Sequence, residues 1–448
     1  MHFTINGQPC EVAQGTTILE AAKAAGIVIP TLCFLKDCNR VAACRMCVVE
    51  VEGLPALQAA CSTLVKEGMR IQTDSLTVKQ SRRNTLDLLG RHHRMDCEYC
   101  ARYSDCELHA LIRENGLDDR VYARQGIQPQ EDKTAPYLIR DYSKCIQCRR
   151  CAAACEKQTV RAIGVYRRGQ DITVGPCQPL PASGCVACGQ CIAACPTGAL
   201  RERDETDPVW QALADHKKRV VAVIAQDAAA RVGELFQDFS PVGEKQKLVT
   251  ILKEIGFDAV YRLEDLKKNV PLKEKNRVIS AECPAVLQYI RKKQPDLIPY
   301  VESEQDTLQH CAEAARSQAA QRFGTAEEQV FVVAITPCLS EKLMQKNAGS
   351  NIGPDVALTT REIGALITRA CVSRFTRQTV WKNTVSSAYD DAGAKKENML
   401  GESMTVTGLS EVKEMLSHWN HDTIPAKRLR LFACPGGCLY GGGQPRHR

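Results

Sequence analysis

Cys145-Ile-Gln-Cys148-Arg-Arg-Cys151-Ala-Ala-Ala-Cys155 returns about forty residues later as Cys185-Val-Ala-Cys188-Gly-Gln-Cys191-Ile-Ala-Ala-Cys195-Pro196. Each run is C-x2-C-x2-C-x3-C, an internal repeat with the spacing of paired cubane iron–sulfur sites. That spacing sends the fourth cysteine of each run to the other cluster. One [4Fe–4S] cluster is thus expected on Cys145, Cys148, Cys151 and Cys195, the other on Cys185, Cys188, Cys191 and Cys155. Zinc has no use for eight cysteines so spaced, nor for the proline that follows. Residues 138–208 read as a bacterial-type two-cluster ferredoxin domain.

The rest of the composition agrees with a metal protein. The chain has 448 residues and 24 cysteines, with 44% hydrophobic and 25% charged residues. Such a length suits about three to five domains. Clustered C-x-x-C spacings in a large chain point to metal rather than to disulfides. No run approaches the roughly 18 apolar residues of a membrane span, and Met1-His-Phe-Thr-Ile-Asn-Gly7 lacks the order of a signal peptide. A cytoplasmic location without a membrane span is expected. The formal charge of +7 would be drawn toward neutrality by cluster thiolates, and aromatics are only 5%. No nucleic-acid partner is therefore expected.

Upstream lie two further sites. Residues 1–78 read as strand, Gly7 turn, strand and a helix from about Thr17 to Ala25, capped at Thr16 or Thr17 with Glu20 in its first turn. A cysteine loop follows, the order of a β-grasp ferredoxin. Cys33, Cys44, Cys47 and Cys61 supply four thiolates for one [2Fe–2S] cluster, with Cys38 as a confounder in the same loop. A helical segment from about Thr77 to Gly90 leads into residues 79–125, where His93-x3-Cys97-x2-Cys100-x5-Cys106 forms a second run of candidate ligands, one histidine and three cysteines. His92 is the rival histidine, one residue out of register. Residues 126–136 read as a linker.

After Asp207-Pro208 the pattern turns to short apolar strands at 219–225, 276–280 and 329–336, separated by helices such as 245–255 and 360–371. That alternation predicts helices on a largely parallel sheet across 217–448. The fold class expected is multidomain α+β and α/β. Cys10, Cys38, Cys177, Cys311 and Cys371 are left over and read as buried small apolar side chains. Tyr440-Gly-Gly-Gly-Gln444 lacks the strand–helix context of a dinucleotide-binding loop.

Several motifs carry a family resemblance. Pro30-Thr-Leu-Cys33 with Cys44-Arg-Met-Cys47, and the His93/Cys97/Cys100/Cys106 set, resemble the N-terminal regions of iron hydrogenases and of the large peripheral iron–sulfur subunit of respiratory complex I, which implies a [4Fe–4S] cluster held by His93, Cys97, Cys100 and Cys106. Glu282-Cys283-Pro284, Thr336-Pro337-Cys338 and Cys434-Pro-Gly-Gly-Cys438 resemble the motifs that anchor the active-site cluster of [FeFe]-hydrogenases. Gly441-Gly-Gly-Gln-Pro445, Ile255-Gly-Phe-Asp-Ala-Val260 and Leu358-Thr-Thr-Arg-Glu362 extend the likeness. The resemblance implies a fifth cluster, a [4Fe–4S] cubane on Cys283, Cys338, Cys434 and Cys438. The last cysteine would, in that family, also bridge to a diiron unit.

The departures fall where that diiron unit would sit. Glu282 stands in place of the family's proton-relaying cysteine, and Glu341 in place of the lysine that donates to iron-bound cyanide. Asp227-Ala-Ala-Ala230 replaces an Ala-Pro-Ala/Ser turn, and the segment closing over the site reads as deleted between about 371 and 405. The resemblance then implies an iron–sulfur subunit of an electron-bifurcating oxidoreductase that has lost hydrogen turnover, with no catalytic residue of its own. Its implied partners are a flavin/NAD-binding subunit, ferredoxin and a third module, an NADP-linked transhydrogenase or formate dehydrogenase. The alternatives are a divergent or sensory [FeFe]-hydrogenase and a redox-sensing scaffold.

Overall fold

The computed structural model describes residues 1–448 except 101, 104, 125, 170–171, 226, 237–243, 267–277, 281, 304–306, 348–352, 372–402, 420–427 and 446–448. The hydrogenase-type closing segment, read as deleted between about 371 and 405, falls largely outside the described residues.

At the N-terminus five strands form a mixed sheet in the order Gln8–Glu11, His2–Ile5, Arg70–Gln72, Val48–Val51, Gln58–Ala59. Alternation turns Phe3 and Ile5 inward, where they meet Ile18, Ala21 and Ala22 of the helix Ile18–Ala24. Thr17 rather than Thr16 caps that helix. Its hydroxyl accepts from the Glu20 amide at 3.2 Å, and the Glu20 carboxylate accepts from the Thr17 amide at 3.2 Å, a reciprocal capping box. The next helix, Leu76–His92, carries a buried Arg82 that donates to the carbonyls of Met46 (3.1 Å) and Val48 (2.8 Å). This arginine ties the helix to the cysteine loop.

In the middle of the chain, Leu138–Asp141 pairs with Leu200–Glu202 and with Glu131–Asp132, all antiparallel. Glu131 and Asp132 belong to the stretch read as a linker. Two charged residues carry no hydrophobic alternation, and their strand exists because a neighbouring edge offers backbone partners. The cysteine repeat is also a structural repeat. Helices Arg150–Lys157 and Gln190–Ala194 are each preceded by a left-handed residue, Arg149 at φ 64° and Gly189 at φ 74°.

The C-terminal lobe holds two parallel sheets. The first runs Ala259–Arg262, Arg219–Ile224, Val330–Thr336, Val356–Thr359; the second runs Val278–Ile279, Arg428–Phe432, Ser403–Thr407. Strand Arg219–Ile224 is apolar on both faces, as a sheet covered on both sides requires. Val220, Ala222 and Ile224 pack with helices Glu244–Ile255 and Thr360–Cys371. Val221 and Val223 pack with Cys311, Ala312 and Ala315 of helix Thr307–Phe323. No helix among the described residues is long and apolar enough to cross a membrane. Of the leftover cysteines, Cys311 is fully buried, but Cys177 is exposed and Cys10 and Cys38 are half-buried. Cys371 ends a helix and its side chain lies outside the described residues.

Candidate metal centres

In the N-terminal loop, Cys33, Cys47 and Cys61 are buried and Cys44 is half-buried. The Cys33 amide donates to Cys44 Sγ at 3.3 Å. The thiols pair as Cys33 with Cys44 and Cys47 with Cys61, and the Cys61 thiol also feels Cys33 and Cys44. All four therefore face one another. Donation from Cys33 pulls the Cys44 thiol down to about 6, and donation from Cys61 pulls Cys47 down to about 7. Their partners are pushed up in return. Four thiols that must share protons in this way are a donor set suited to metal, which replaces those protons outright. Cys38 is outside this set: burial raises its thiol, and its charged neighbours are Lys157 and Arg150.

His93 closes the helix Leu76–His92 as its C-cap and is 5% exposed. Burial, then the charge of Lys144, hold its imidazole down to about 4, so it is neutral at physiological pH, the form that ligates metal. Its Nδ1 is buried without a hydrogen-bond partner among the described residues. An orphaned acceptor of that kind is costly unless a ligand takes it up. Cys97 senses Cys106 and Cys100, Cys106 senses Cys100, and burial pushes their thiols up to about 12 and about 11. His92, the rival, is exposed with Nδ1 2.9 Å from the Leu88 carbonyl. The sequence reading missed His109. It lies on helix Glu107–Glu114, and its Nε2 is 2.8 Å from Asp119. Donor atoms of Cys97, His109 and Asp119 lie within 4.8 Å of one another. Its position three residues after Cys106 was the one available signal. Because His109 Nε2 is already paired with Asp119 while His93 Nδ1 has no partner among the described residues, His93→Ala is expected to lose about four irons per chain while His109→Ala keeps them. Anaerobic iron analysis of both variants checks this.

The central repeat brings its cysteines together across the runs. Cys148 and Cys151 both feel the charge of Cys195, whereas Cys188 and Cys191 both feel Cys155 and Cys185. The amides of Ala162 and Ala187 donate to Cys155 Sγ (3.1 Å) and Cys185 Sγ (3.4 Å). Arg140 is 2% exposed, with Nη2 3.6 Å from Cys145 Sγ, its charge bearing on Cys151 as well, and with no acceptor for Nε and Nη1 within hydrogen-bond geometry among the described residues. Buried N–H groups aimed at thiols fit a group that adds sulfide acceptors among those thiols. Gly198 lets the neighbouring site approach, since a Cβ there would stand 2.6 Å from Cys100 Sγ.

In the C-terminal lobe, Cys283 precedes helix Pro284–Lys293, Cys338 follows strand Val330–Thr336, and Cys434 follows strand Arg428–Phe432. They converge with Cys438 on a cavity of about 310 Å³. Cys338 senses Cys283, Cys434 and Cys438. Burial pushes the Cys434 thiol up to about 12 and raises Cys283. The Ala433 amide donates to Cys283 Sγ at 3.5 Å. Four thiols gathered on one cavity, Cys283 and Cys434 buried and Cys338 and Cys438 half-buried, are again a donor set that fits iron, which would displace their protons. When bound, such clusters supply one-electron redox chemistry.

The same cavity exposes the substituted residues. The charge of Glu341 bears on the thiols of Cys338 and Cys438. Lys342 turns away, with Nζ 2.9 Å from Glu205 and 2.8 Å from Glu362. The Glu282 carboxylate accepts from Arg430 Nε at 2.8 Å. Asp227 also lines the cavity, its carbonyl taking a hydrogen bond of 2.7 Å from Gln444.

Comparison with known proteins assigns families to three stretches of the chain. The family described as 2Fe-2S iron-sulfur cluster binding domain matches residues 1–75, and the 4Fe-4S dicluster domain matches 144–199. The family described as iron only hydrogenase large subunit, C-terminal domain, matches 218–377. The chain is similar to NADP-reducing hydrogenase subunit HndD of Solidesulfovibrio fructosivorans, at 30% identity over 99% of this chain and 88% of that protein. Iron hydrogenase 1 of Clostridium pasteurianum is 29% identical over 98% of this chain and 88% of its own length. The alpha subunit of NADPH-Fe(3+) oxidoreductase from Geobacter sulfurreducens is 35% identical over 38% of this chain and 20% of its own length. Three matched domains and a relative aligned over nearly the whole length lead to one conclusion: the chain belongs to the iron-only hydrogenase large-subunit family, with 2Fe–2S and 4Fe–4S domains ahead of the hydrogenase-like lobe.

Proposed function

We propose that this chain is the iron–sulfur electron-transfer subunit of a cytoplasmic, electron-bifurcating oxidoreductase, and that it does not turn over hydrogen. Residues 1–78 act as a β-grasp ferredoxin domain with one [2Fe–2S] cluster on Cys33, Cys44, Cys47 and Cys61. Residues 79–125 hold a [4Fe–4S] cluster on His93, Cys97, Cys100 and Cys106. Residues 138–208 hold two cubanes with crossed ligation, and residues 217–448 hold a fifth cluster on Cys283, Cys338, Cys434 and Cys438. Electrons enter and leave through a flavin/NAD-binding subunit, ferredoxin and a third module linked to NADP or formate.

The observation that carries this reading is the pairing of Lys342. Lys342, the residue after Glu341, is paired with Glu205 and Glu362, leaving the Glu341 carboxylate beside the thiols. An anionic acceptor there repels cyanide instead of donating to it. The names of the relatives, a subunit of an NADP-reducing hydrogenase and a subunit of an NADPH-Fe(3+) oxidoreductase, support a place in a multi-subunit redox complex. A divergent hydrogenase is the second reading, favoured by Glu282, a carboxylic acid able to carry a proton. Its pairing with Arg430 opposes that role.

Two measurements test the proposal. After co-expression with hydrogenase maturation proteins, infrared spectra should lack bands of iron-bound CO and cyanide, and the chain should carry about 18 irons. Such bands would establish the second reading instead. In the native complex, NADH should bleach the cluster absorbance only when a flavin subunit co-purifies; bleaching of the isolated chain by NADH would refute the partner assignment.

A further inference from the structure

The two halves of the cysteine repeat are alike in spacing and differ in charge. Five residues ahead of Cys145 stands Arg140, whereas five residues ahead of Cys185 stands Leu180. Both side chains are buried, Arg140 at 2% exposure and Leu180 at 4%. The arginine reaches the first run from strand Leu138–Asp141. Its Nη2 donates to Cys145 Sγ at 3.6 Å, and its guanidinium lies 4.7 Å from the centre of the Tyr142 ring. Gly175 leaves room beside it, since a Cβ there would stand 3.3 Å from Arg140 Nε.

What sets Arg140 apart is the lack of a counter-charge. Three other buried cations stand near the first run, and each has a carboxylate. Arg150 reaches Glu107 at 2.7 Å, Arg102 reaches Asp105 at 2.9 Å, and Lys144 pairs with Asp96. Asp141, the residue after Arg140, meets Arg94 at 3.0 Å instead. Arg140 thus has no carboxylate partner among the described residues, and its Nε and Nη1 find no acceptor there. A buried guanidinium left in that state is costly, so an anion is called for beside it. Beside the second run stand Lys292 and Lys293, and both are exposed. Lys292 donates to the Cys185 carbonyl at 2.6 Å, but water and salt screen a charge so placed. The second run does hold two neutral donors, the amides of Ala162 and Ala187 on Cys155 and Cys185. A charged donor is roughly twice as strong as a neutral one, and its charge acts on the whole cluster through a poorly screening interior.

We propose that Arg140 makes the two cubanes of the repeat unequal. The cubane on Cys145, Cys148, Cys151 and Cys195 has the higher potential and takes an electron before the one on Cys155, Cys185, Cys188 and Cys191. This deepens the function proposed above and rests on its cluster assignments. Reduction adds one electron, and so one negative charge, to a cubane; no bond or proton changes hands. A buried cation beside the cluster favours that gain. Identical spacing therefore yields a graded pair, in which the electron rests on the first cubane.

The test is a dithionite titration of the full-length, iron-loaded chain, followed by EPR. Cys155→Ala and Cys195→Ala identify the signals, because each should remove one cubane and about four irons. In the wild type, the signal lost with Cys195→Ala should appear at the higher potential. Arg140→Met should keep about 18 irons and move that signal alone. The electron partition should shift about tenfold toward the second cubane, which is about 59 mV for one electron. Arg140→Lys, which keeps the charge, should restore most of the shift. A wild-type order that is level or reversed, or an Arg140→Met signal that stays in place, overturns the proposal. If Arg140→Met loses its irons, the wild-type order decides alone. If neither cysteine variant loses iron, the cluster assignment itself fails, and the grading falls with it.

Discussion

Lys342→Met is expected to destabilise the folded chain by about 3–5 kcal/mol, the cost of removing one partner from a buried ion pair. Lys342 is fully buried between Glu205 and Glu362, at 2.9 and 2.8 Å. Burial works against its charge, yet the two carboxylates outweigh that and raise its affinity for the proton. Glu362 shows the opposing stress. Burial and the nearby Glu202 push its carboxyl up to about 7 although Lys342 pulls it down. Without the ammonium, two carboxylates remain in a place where neither is adequately solvated. Methionine keeps most of the volume, so the loss reports charge rather than a cavity. Because Glu205 lies just after the ferredoxin-like strand Leu200–Glu202 and Glu362 lies in helix Thr360–Cys371, the same change loosens the central segment from the C-terminal lobe. The measurement is the denaturant midpoint of anaerobic protein. Lys342→Met combined with Glu362→Gln should recover about 1–3 kcal/mol through the coupling of the pair. A single-variant effect within about 0.5 kcal/mol, the scale of an ordinary surface substitution, would show that the lysine is not buried in this triad.

Cys155→Ala should remove the cubane of the second cysteine run, not that of the run in which Cys155 sits. The thiols of Cys188 and Cys191 feel Cys155, while those of Cys148 and Cys151 feel Cys195. About four irons should be lost, and Cys195→Ala should lose the other four. EPR distinguishes the two through Arg140, whose Nη2 lies 3.6 Å from Cys145 Sγ. The cubane surviving in Cys155→Ala should still shift its potential when Arg140→Met is added, because hydrogen bonds to ligand sulfur tune it. A surviving cubane indifferent to Arg140 would mean that each run serves its own cluster.

Much of this was legible in the residues because metal ligation constrains local spacing. C-x2-C loops and the position of His93 are short-range features, and so are the apolar strands and the capping residues Thr17 and Glu20. Other features depend on what arrives from elsewhere. Glu131–Asp132 forms a strand only beside Leu138–Asp141. His109 comes to Cys97 through the turn of its helix and finds Asp119 there. Cys177 is exposed although cysteine is usually buried.

The sequence by itself determined the inventory and spacing of the cysteines, their order along the chain and the presence of Glu282 and Glu341, because side-chain chemistry and its spacing are properties of the chain. Only the tertiary structure decided where Lys342 spends its charge, which histidine nitrogen is left without a partner, and that Gly442 lies against Gly189. Those outcomes depend on surfaces separated by up to hundreds of residues, and on which buried charge finds which counter-charge once water is excluded.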